Sequence, residues 1–216
     1  MSDCASAPAQ DRLAIREAID NWMIWRDGGD WDRFATIWHP EGRMHTTWFQ
    51  ASGAEFVARS RRAFETGITV LHLMSGTSID IVGDRAISQT RSTIMQRGAI
   101  DGVEVDVSCH GRFWDAWERV GNAWLLRLRQ PIYEIDHLTP LDPMAVLHLD
   151  PTLLGSFPIG YRHLAYLQAK LGFDVIKSMP GTHGSEVAQL RARGRAWLEG
   201  DDAICLTAAH EVAQCA

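Results

Sequence analysis

The sequence predicts an α+β fold, and two observations carry that prediction. Up to about residue 64, apolar side chains recur mainly at helical spacing, with one short run that is typical of a strand. From residue 69 to residue 135, β-branched and apolar residues instead recur in four long runs that are separated by short turns. A sheet of this kind must bury one face, and the preceding helices are the cover that the chain offers. We therefore expect a curved, mostly antiparallel sheet with helices over it and a cavity between the two.

The elements before the sheet have recognisable starts and ends. Residues 11–26 carry Ile15, Ile19 and Trp22 on one helical face, and two glycines that suit a C-cap follow them. Ser52 and Glu55 have the spacing of a capping box, which places a further helix at residues 53–64. The elements predicted between these two helices are a short helix at residues 31–38, a turn at residues 39–42 and a strand at residues 43–49.

Four strands follow, and helical periodicity returns towards the C-terminus. The strands are predicted at residues 69–82, 87–97, 103–118 and 123–135, joined by turns short enough for antiparallel neighbours. Two apolar stripes at helical spacing then require burial on the same domain or on a neighbouring subunit; their members are Tyr161, Leu164, Ala165, Gln168 and Leu171, then Val187, Leu190, Gly194 and Trp197. The chain is thus divided into a disordered N-terminus (residues 1–10), a domain (residues 11–138), a helical extension (residues 139–200) and a flexible tail (residues 201–216).

Composition and charge restrict the partners. The net charge is −6 and the basic residues are scattered, so the chain shows no electrostatic footprint for nucleic acid. The apolar stretches fall short of the roughly 20 residues that a membrane span needs, and the N-terminus lacks a basic region followed by an apolar one. The four cysteines show no metal-binding spacing, which indicates reduced thiols. We predict a cytoplasmic protein with no nucleic-acid or membrane partner.

Two neighbouring segments carry a resemblance to a known family. Residues 14–19 read AIREAI and residues 25–32 read WRDGGDWD, so a helix ends in an aspartate before a small loop and a DWD start. This opening resembles that of the SnoaL-like branch of the nuclear transport factor 2-like superfamily. Further counterparts follow in order within residues 11–135: Gly53, the histidine of VLHLM at residues 70–74, GRFWD at residues 111–115 and WLL at residues 124–126.

The resemblance implies a cone-shaped α+β barrel in a homodimer or homotrimer. Enzymes of the superfamily include dehydratases, dehydrochlorinases, isomerases and cyclases that work without a metal or organic cofactor, and other members only bind. The resemblance places Asp27 and His72 at the positions of a catalytic Asp-His dyad, so we expect them within hydrogen-bonding distance. An imidazole that titrates near neutrality can remove a proton, while a carboxylate bonded to its other nitrogen fixes the tautomer. The structural alternative is a solvated carboxylate at a helix end and a core histidine.

Other side chains are candidates for contact with a substrate, namely Trp22, His45, Trp48, Arg91, His110 and Tyr133. His110 lies on a central strand, where alternation permits either face. Arg91 lies in the middle of a strand, so it either pairs with a carboxylate or binds a polar substrate group. The sequence departs from a dehydratase of the family in two places, because residues 87–97 contain no second histidine and Arg26 replaces the tyrosine before the aspartate.

Metal and nucleophile chemistry lack a sequence signature. His39, His45, His72 and His110 show neither H-E-x-x-H nor H-x-H spacing, and there is no G-x-S-x-G elbow or glycine-rich nucleotide loop. The leading hypothesis is a metal-free, cofactor-independent lyase or isomerase, in which His72 removes a proton from an apolar, aromatic or polycyclic small molecule and Asp27 orients it. The rival hypothesis is a non-catalytic small-molecule-binding or scaffolding member of the same fold.

Overall fold

The computed structural model describes residues 9–202 as one curved sheet with helices on both of its faces. The helices are α1 (Ala9–Gly28), α2 (Trp31–Ala35), α3 (Gly53–Glu65), α4 (Pro151–Gly155), α5 (Arg162–Lys170) and α6 (Ser185–Leu198), with a 3-10 turn at Ile159–Tyr161. The strands are β1 (Trp38–Thr46), β2 (Phe49–Ser52), β3 (Val70–Val82), β4 (Arg85–Ile100), β5 (Val103–Val120) and β6 (Ala123–Pro140). Most of the predicted irregular termini, residues 1–8 and 203–216, lie outside the described residues. Across residues 9–202, every helix is too short or too polar to cross a membrane.

The sheet has the strand order β2-β1-β6-β5-β4-β3. Strands β3 to β6 form the antiparallel meander that the sequence predicts, whereas β1 runs parallel to β6. Alternation along β5 gives the sheet two distinct faces, with Phe113 on the face under α1 and α3 and Trp114 on the face under α6. We call these the inner and the outer face.

The structure corrects the prediction for residues 31–49. The short helix ends at Ala35 rather than at residue 38, and the single strand predicted at residues 43–49 is replaced by two, β1 and β2. The reason is tertiary, because Leu126 of β6 donates its backbone N–H to the carbonyl of Ile37 and draws Trp38 into the sheet. Gly42 lies in the irregular part of β1, where a Cβ atom would lie 2.5 Å from the carbonyl oxygen of Leu126. Residues 39–42 therefore belong to an irregular strand and not to a helix-ending turn.

The inner face holds the main core. Ile15, Ile19 and Trp22 of α1 are completely buried and pack in one cluster with Phe113 and Trp117 of β5. Helix α3 starts with the predicted capping box: the Ser52 hydroxyl accepts from the Glu55 N–H at 3.2 Å, and the Glu55 carboxylate accepts from the Ser52 N–H at 3.2 Å. These two hydrogen bonds fix the residue at which α3 begins.

The helical extension packs on both faces of the same domain. Leu164 and Leu167 of α5 join Val107 in a core cluster at the inner face. On the outer face, α6 buries Leu190 and Trp197 among side chains that include Trp114 and Ile132. Both predicted apolar stripes are thus covered by the chain's own sheet, apart from Leu171, which is partly exposed.

Candidate active site

A cavity of about 330 Å³ lies between the inner face, α3 and α5. Its apolar lining includes Met44, Trp48, Phe56, Ile94, Phe113, Leu164 and Phe173. Its polar lining includes His72, Thr46, Gln96, Tyr133 and Gln168, together with Ser60, Arg59 and Arg62 of α3. The volume and the mixture of apolar walls with few polar groups are typical of a small-molecule site.

Asp27 and His72 meet at the wall of this cavity. The backbone N–H of His72 donates to Oδ2 of Asp27 at 2.6 Å, and Nδ1 of the ring lies 2.9 Å from Oδ1. The last turn of α1 supplies Asp27 and the start of β3 supplies His72, so the contact joins segments that are 45 residues apart. The two residues therefore approach within hydrogen-bonding distance, as expected from the resemblance.

The electrostatic surroundings determine the protonation of the pair. Burial opposes ionisation of Asp27, but the hydrogen bond and charge of His72, then the charge of Arg26, outweigh it and lower the pKa of Asp27. Burial is also the largest influence on His72 and lowers its pKa; Asp27 opposes this, while the positive charges of Arg26 and Arg129 add to it. Both directions fit an ionised Asp27 beside a neutral His72 near pH 7. An ionised carboxylate only accepts, so Nδ1 carries the proton and Nε2 has a free lone pair.

Two buried arginines place positive charge near this pair. Arg26 donates to Oδ1 of Asp27 at 3.0 Å and to the carbonyl of Val70 at 3.1 Å. Arg129 is fully buried, forms two hydrogen bonds of 2.8 Å to Asp115, and lies against the Trp22 ring at 4.3 Å. The sequence indicates neither role, because each depends on which strands and helices become neighbours.

Polar side chains also line another part of the cavity wall. The Tyr133 and Thr46 hydroxyls lie 3.1 Å apart, and the Gln168 amide accepts from Thr47 at 2.7 Å and donates to Gln96 at 3.3 Å. Burial raises the pKa of Tyr133, so its phenol stays protonated at physiological pH and can donate a hydrogen bond. The two glutamines were not predicted as site residues, although Gln168 interrupts an otherwise apolar stripe and so gave a signal.

The remaining predicted substrate-binding residues divide into two groups. Trp48 and Tyr133 line the cavity. Trp22 does not, but its ring is nearly perpendicular to that of His72, with the two centroids 5.1 Å apart. In contrast, His45 and His110 do not line the cavity, because strand alternation directs both side chains to the outer face.

His45, His110 and Arg91 all lie on the outer face, where their neighbours are other side chains of the protein. Arg91 forms an ion pair with Glu134, which is the first of the two alternatives that its position left open. His110 is hydrogen-bonded to the Thr93 hydroxyl at 2.9 Å. His45 is buried near Arg193 of α6. The expected substrate contacts of His45, Arg91 and His110 therefore do not apply to this cavity.

A second Asp-His pair has the same geometry in another place. The backbone N–H of His163 donates to Oδ2 of Asp136 at 2.6 Å, and Nδ1 lies 2.9 Å from Oδ1. The same Oδ2 accepts from the backbone N–H of Leu164, so Asp136 caps the start of α5. His163 does not line the cavity described above. The arrangement alone is therefore not diagnostic of catalysis, and the position of His72 at the cavity is what distinguishes it.

Residues 9–202 contain no cluster of three or more His, Cys, Asp or Glu side chains that could bind a metal ion. His39 instead contacts Arg127, with 2.8 Å between Nδ1 and the guanidinium. The functional groups that line the cavity are imidazole, phenol, amide, hydroxyl and guanidinium groups.

The fold and the cavity are those of a small α+β domain that encloses a site for a small molecule, and comparison with known sequences identifies its family. The chain belongs to the SnoaL-like domain family, whose model matches residues 7–130. A PEP2-like protein of the fungus Fusarium vanettenii is 34% identical over 203 residues, which cover 88% of this chain and 87% of the relative. Pea pathogenicity protein 2 of the same fungus is 33% identical over 205 residues, covering 89% and 88%. Coverage of this extent necessarily includes part of residues 139–200.

A solved structure shows the same fold. The hexachlorocyclohexane dehydrochlorinase LinA type 3 of Novosphingobium barchaimii superposes with a TM-score of 0.51 at 14% identity, over 65% of this chain and 96% of that one. The α+β cone is therefore shared with an enzyme that works as a dehydrochlorinase. The superfamily also has non-catalytic members, so the fold does not by itself establish catalysis.

Proposed function

We propose that this protein is a cofactor-independent lyase or isomerase in which Nε2 of His72 removes a proton from carbon. The observation that carries the proposal is the contact of Asp27 with Nδ1 of an imidazole that lines the cavity. Asp27 holds the proton on Nδ1 and stabilises the imidazolium that forms, which is the division of labour in other Asp-His pairs. The depressed pKa of His72 keeps the base unprotonated at neutral pH.

The reaction class follows from the electrons that the C–H bond releases. They form a C=C bond to the adjacent carbon, which must give up a bonding pair of its own. Either a leaving group departs from that carbon with its bonding electrons, or an existing π bond at that carbon shifts by one position and its electrons accept the proton that the imidazolium returns at the far carbon. The first outcome is a lyase reaction and the second an isomerisation. The Tyr133 phenol is a donor that can stabilise negative charge on a substrate oxygen during either reaction.

The walls of the cavity favour an aromatic or polycyclic substrate. Phe56, Phe113 and Phe173 line the cavity with Trp48, and offset or edge-to-face contacts with such rings favour other flat rings. A volume of about 330 Å³ accommodates a fused bicyclic molecule with small substituents.

Proton abstraction can be tested without knowing the leaving group. In D2O, the wild-type protein should accelerate deuterium incorporation next to the carbonyl of 1-tetralone or its hydroxylated derivatives, as followed by NMR. His72→Gln should slow this exchange by about 10²- to 10⁴-fold, the usual contribution of a positioned base. Asp27→Asn should also slow it, because an amide that donates to Nδ1 places the proton on Nε2.

His163→Gln is the matched control, since it changes a histidine with the same aspartate geometry outside the cavity. It should leave the exchange rate unchanged. Equal rates for wild type and His72→Gln would contradict the proposal.

The alternative, a binding protein without chemistry, has one observation in its favour. The Asp136-His163 pair shows that this geometry can serve only to fix a helix, so Asp27 and His72 could likewise fix α1 to β3. In that case aromatic ligands should bind to wild type and to His72→Gln with equal affinity, and no exchange should occur with either.

We further propose that copies of the chain associate through the outer face beyond α6. Leu71, Leu73 and Ile135 are 48%, 58% and 63% exposed there, although they lie on well-paired strands. Sedimentation equilibrium should show a dimer or trimer that Leu73→Lys weakens; a monomeric wild type would contradict this.

A further inference from the structure

We propose that the ligand of this cavity is an aromatic carboxylate whose negative charge is held at the mouth by Arg59 and Arg62. The proposal deepens the proposed function, because it adds a negative charge to the substrate class. It rests on the proposed function for the reaction that the ligand undergoes, but not for the binding of the ligand. Binding alone tests it.

The charges on the cavity wall are all of one sign. Arg26, Arg59 and Arg62 line the cavity, and among the described residues that line it there is no Asp or Glu. The whole chain, in contrast, has a net charge of −6. A wall with this composition attracts an anion more than a neutral molecule of the same shape.

Two of the three arginines remain available to a ligand. Arg26 is bonded to Asp27 and to the Val70 carbonyl, so its charge is already used. Within residues 9–202, the side chains of Arg59 and Arg62 form no ion pair. The Cζ atom of Arg59 lies over the Phe49 ring, 5.2 Å from its centroid, and a guanidinium in such a contact still has N–H groups that can donate to a carboxylate. The hydrogen bond from the Ser52 hydroxyl lowers the pKa of Glu55 and the positive charge of Arg59 contributes to this, but the Glu55 carboxylate forms no ion pair with Arg59.

The spacing on α3 places these groups together. Arg59, Arg62, Ala63 and Thr66 follow the i, i+3, i+4, i+7 pattern and therefore share one side of the helix, the side that faces the cavity mouth. Arg61 breaks this pattern, lies outside the cavity lining, and is paired with Glu65 at 2.9 Å. The helix thus directs two cations to the cavity and neutralises the third.

A buried hydroxyl points to the same ligand. Ser60 is 1% exposed and lines the cavity, and its Oγ has no hydrogen-bond partner in the described structure. A buried polar group without a partner is costly to keep. An acceptor atom on a bound molecule, such as a carboxylate oxygen, would satisfy it.

These groups also orient the molecule. The carboxylate lies at α3, the rings lie against Phe56 and Phe173, and the carbon that loses its proton lies at His72 on β3. A negative charge on the substrate therefore acts as a handle that is separate from the reacting bond.

The test compares 2-naphthoate with 2-naphthylmethanol, which has the same rings and no charge, by isothermal titration calorimetry of the full-length protein at low salt. Wild type should bind naphthoate on the order of tenfold more tightly than the alcohol, corresponding to about 1.4 kcal/mol. The double variant Arg59→Gln/Arg62→Gln should lose this preference while its affinity for the alcohol stays unchanged. Arg61→Gln, with the same change of charge on the same helix, should behave as wild type.

Each other result overturns the proposal. Equal wild-type affinities, a preference that survives in the double variant, or an equal loss in Arg61→Gln would each show that Arg59 and Arg62 do not hold the charge. Failure of both probes to bind would exclude aromatic carboxylates of this size. If the expected binding is found but His72→Gln exchanges deuterium as wild type does, the proposed reaction fails and the charge preference stands.

Discussion

His45 should make the fold unstable to mild acid, and the structure gives the magnitude. The side chain is 2% exposed, and burial, reinforced by the positive charges of Arg43 and Arg193, lowers its pKa from 6.5 to about 4, against the opposing influence of Gln130. Because the folded-state pKa is depressed, the unfolded chain binds the proton more tightly. His45 therefore has no effect on the free energy of unfolding above about pH 6.5, and it lowers that free energy progressively as the pH falls towards 4. With about 1.4 kcal/mol for each tenfold change in proton affinity, the loss amounts to about 2 kcal/mol at pH 5 and about 3 kcal/mol at pH 4.

The assay is urea unfolding of wild type and His45→Gln, followed by circular dichroism at pH 7.5 and pH 5.0. His72 and the carboxylates titrate in both proteins, so the difference between the two pH dependences isolates His45. Wild type should lose about 2 kcal/mol more than the variant between these pH values. Parallel losses in the two proteins would refute the argument and would mean that His45 gains access to water.

Three further predictions concern the packing of buried side chains and of the helical extension on the sheet. Arg129→Met leaves the Asp115 carboxylate buried without its partner and should lower the free energy of unfolding by about 3–5 kcal/mol, measured by urea denaturation; a loss below about 1 kcal/mol would contradict the importance of this pair. Gly194→Val should lower the free energy of unfolding by about 1–3 kcal/mol, since a Cβ atom added there would lie 2.6 Å from the Trp114 ring, whereas Ala192→Val at an exposed position should change the melting temperature little. Removal of residues 137–216 uncovers both faces of the sheet and part of the cavity, so the truncated chain should bind a hydrophobic dye and lose the deuterium exchange; a soluble truncated chain with full exchange activity would show that the extension is an independent appendage.

Local periodicity explains how much of this fold could be predicted. Helices α1, α3, α5 and α6 and the four-strand meander each repeat apolar residues over enough turns or strand positions to define their type. The region from Trp38 to Ser52 could not be predicted in the same way. Its strands depend on a parallel pairing between β1 and β6, whose partners are more than 80 residues apart in sequence. A proline and a glycine in that segment read locally as a turn.

The candidate site shows the same limit. The approach of Asp27 to His72 followed from the family resemblance, since nothing in the spacing of two residues on a helix and a strand requires them to meet. Alternation shows that His110 and Arg112 lie on one face and Phe113 on the other, but not which face is concave. Two side-chain contacts depend on cross-strand register and on where α5 packs, so the residue types alone could not predict them. They are the contact of Arg129 with Asp115 and that of Gln168 with Gln96.

The measurement that tests the central claim most directly is the protonation state of the His72 ring in solution. Long-range ¹H–¹⁵N NMR of histidine-labelled protein distinguishes the imidazolium and the two neutral tautomers, and loss of signals in His72→Gln assigns the ring. Because an ionised Asp27 accepts from Nδ1 and burial lowers the pKa of His72, the ring should be neutral at pH 7 with its proton on Nδ1. It should titrate below pH 6.5. A ring that is an imidazolium at pH 7, or that carries its proton on Nε2, would have no lone pair directed at the cavity and would contradict the assignment of His72 as the base.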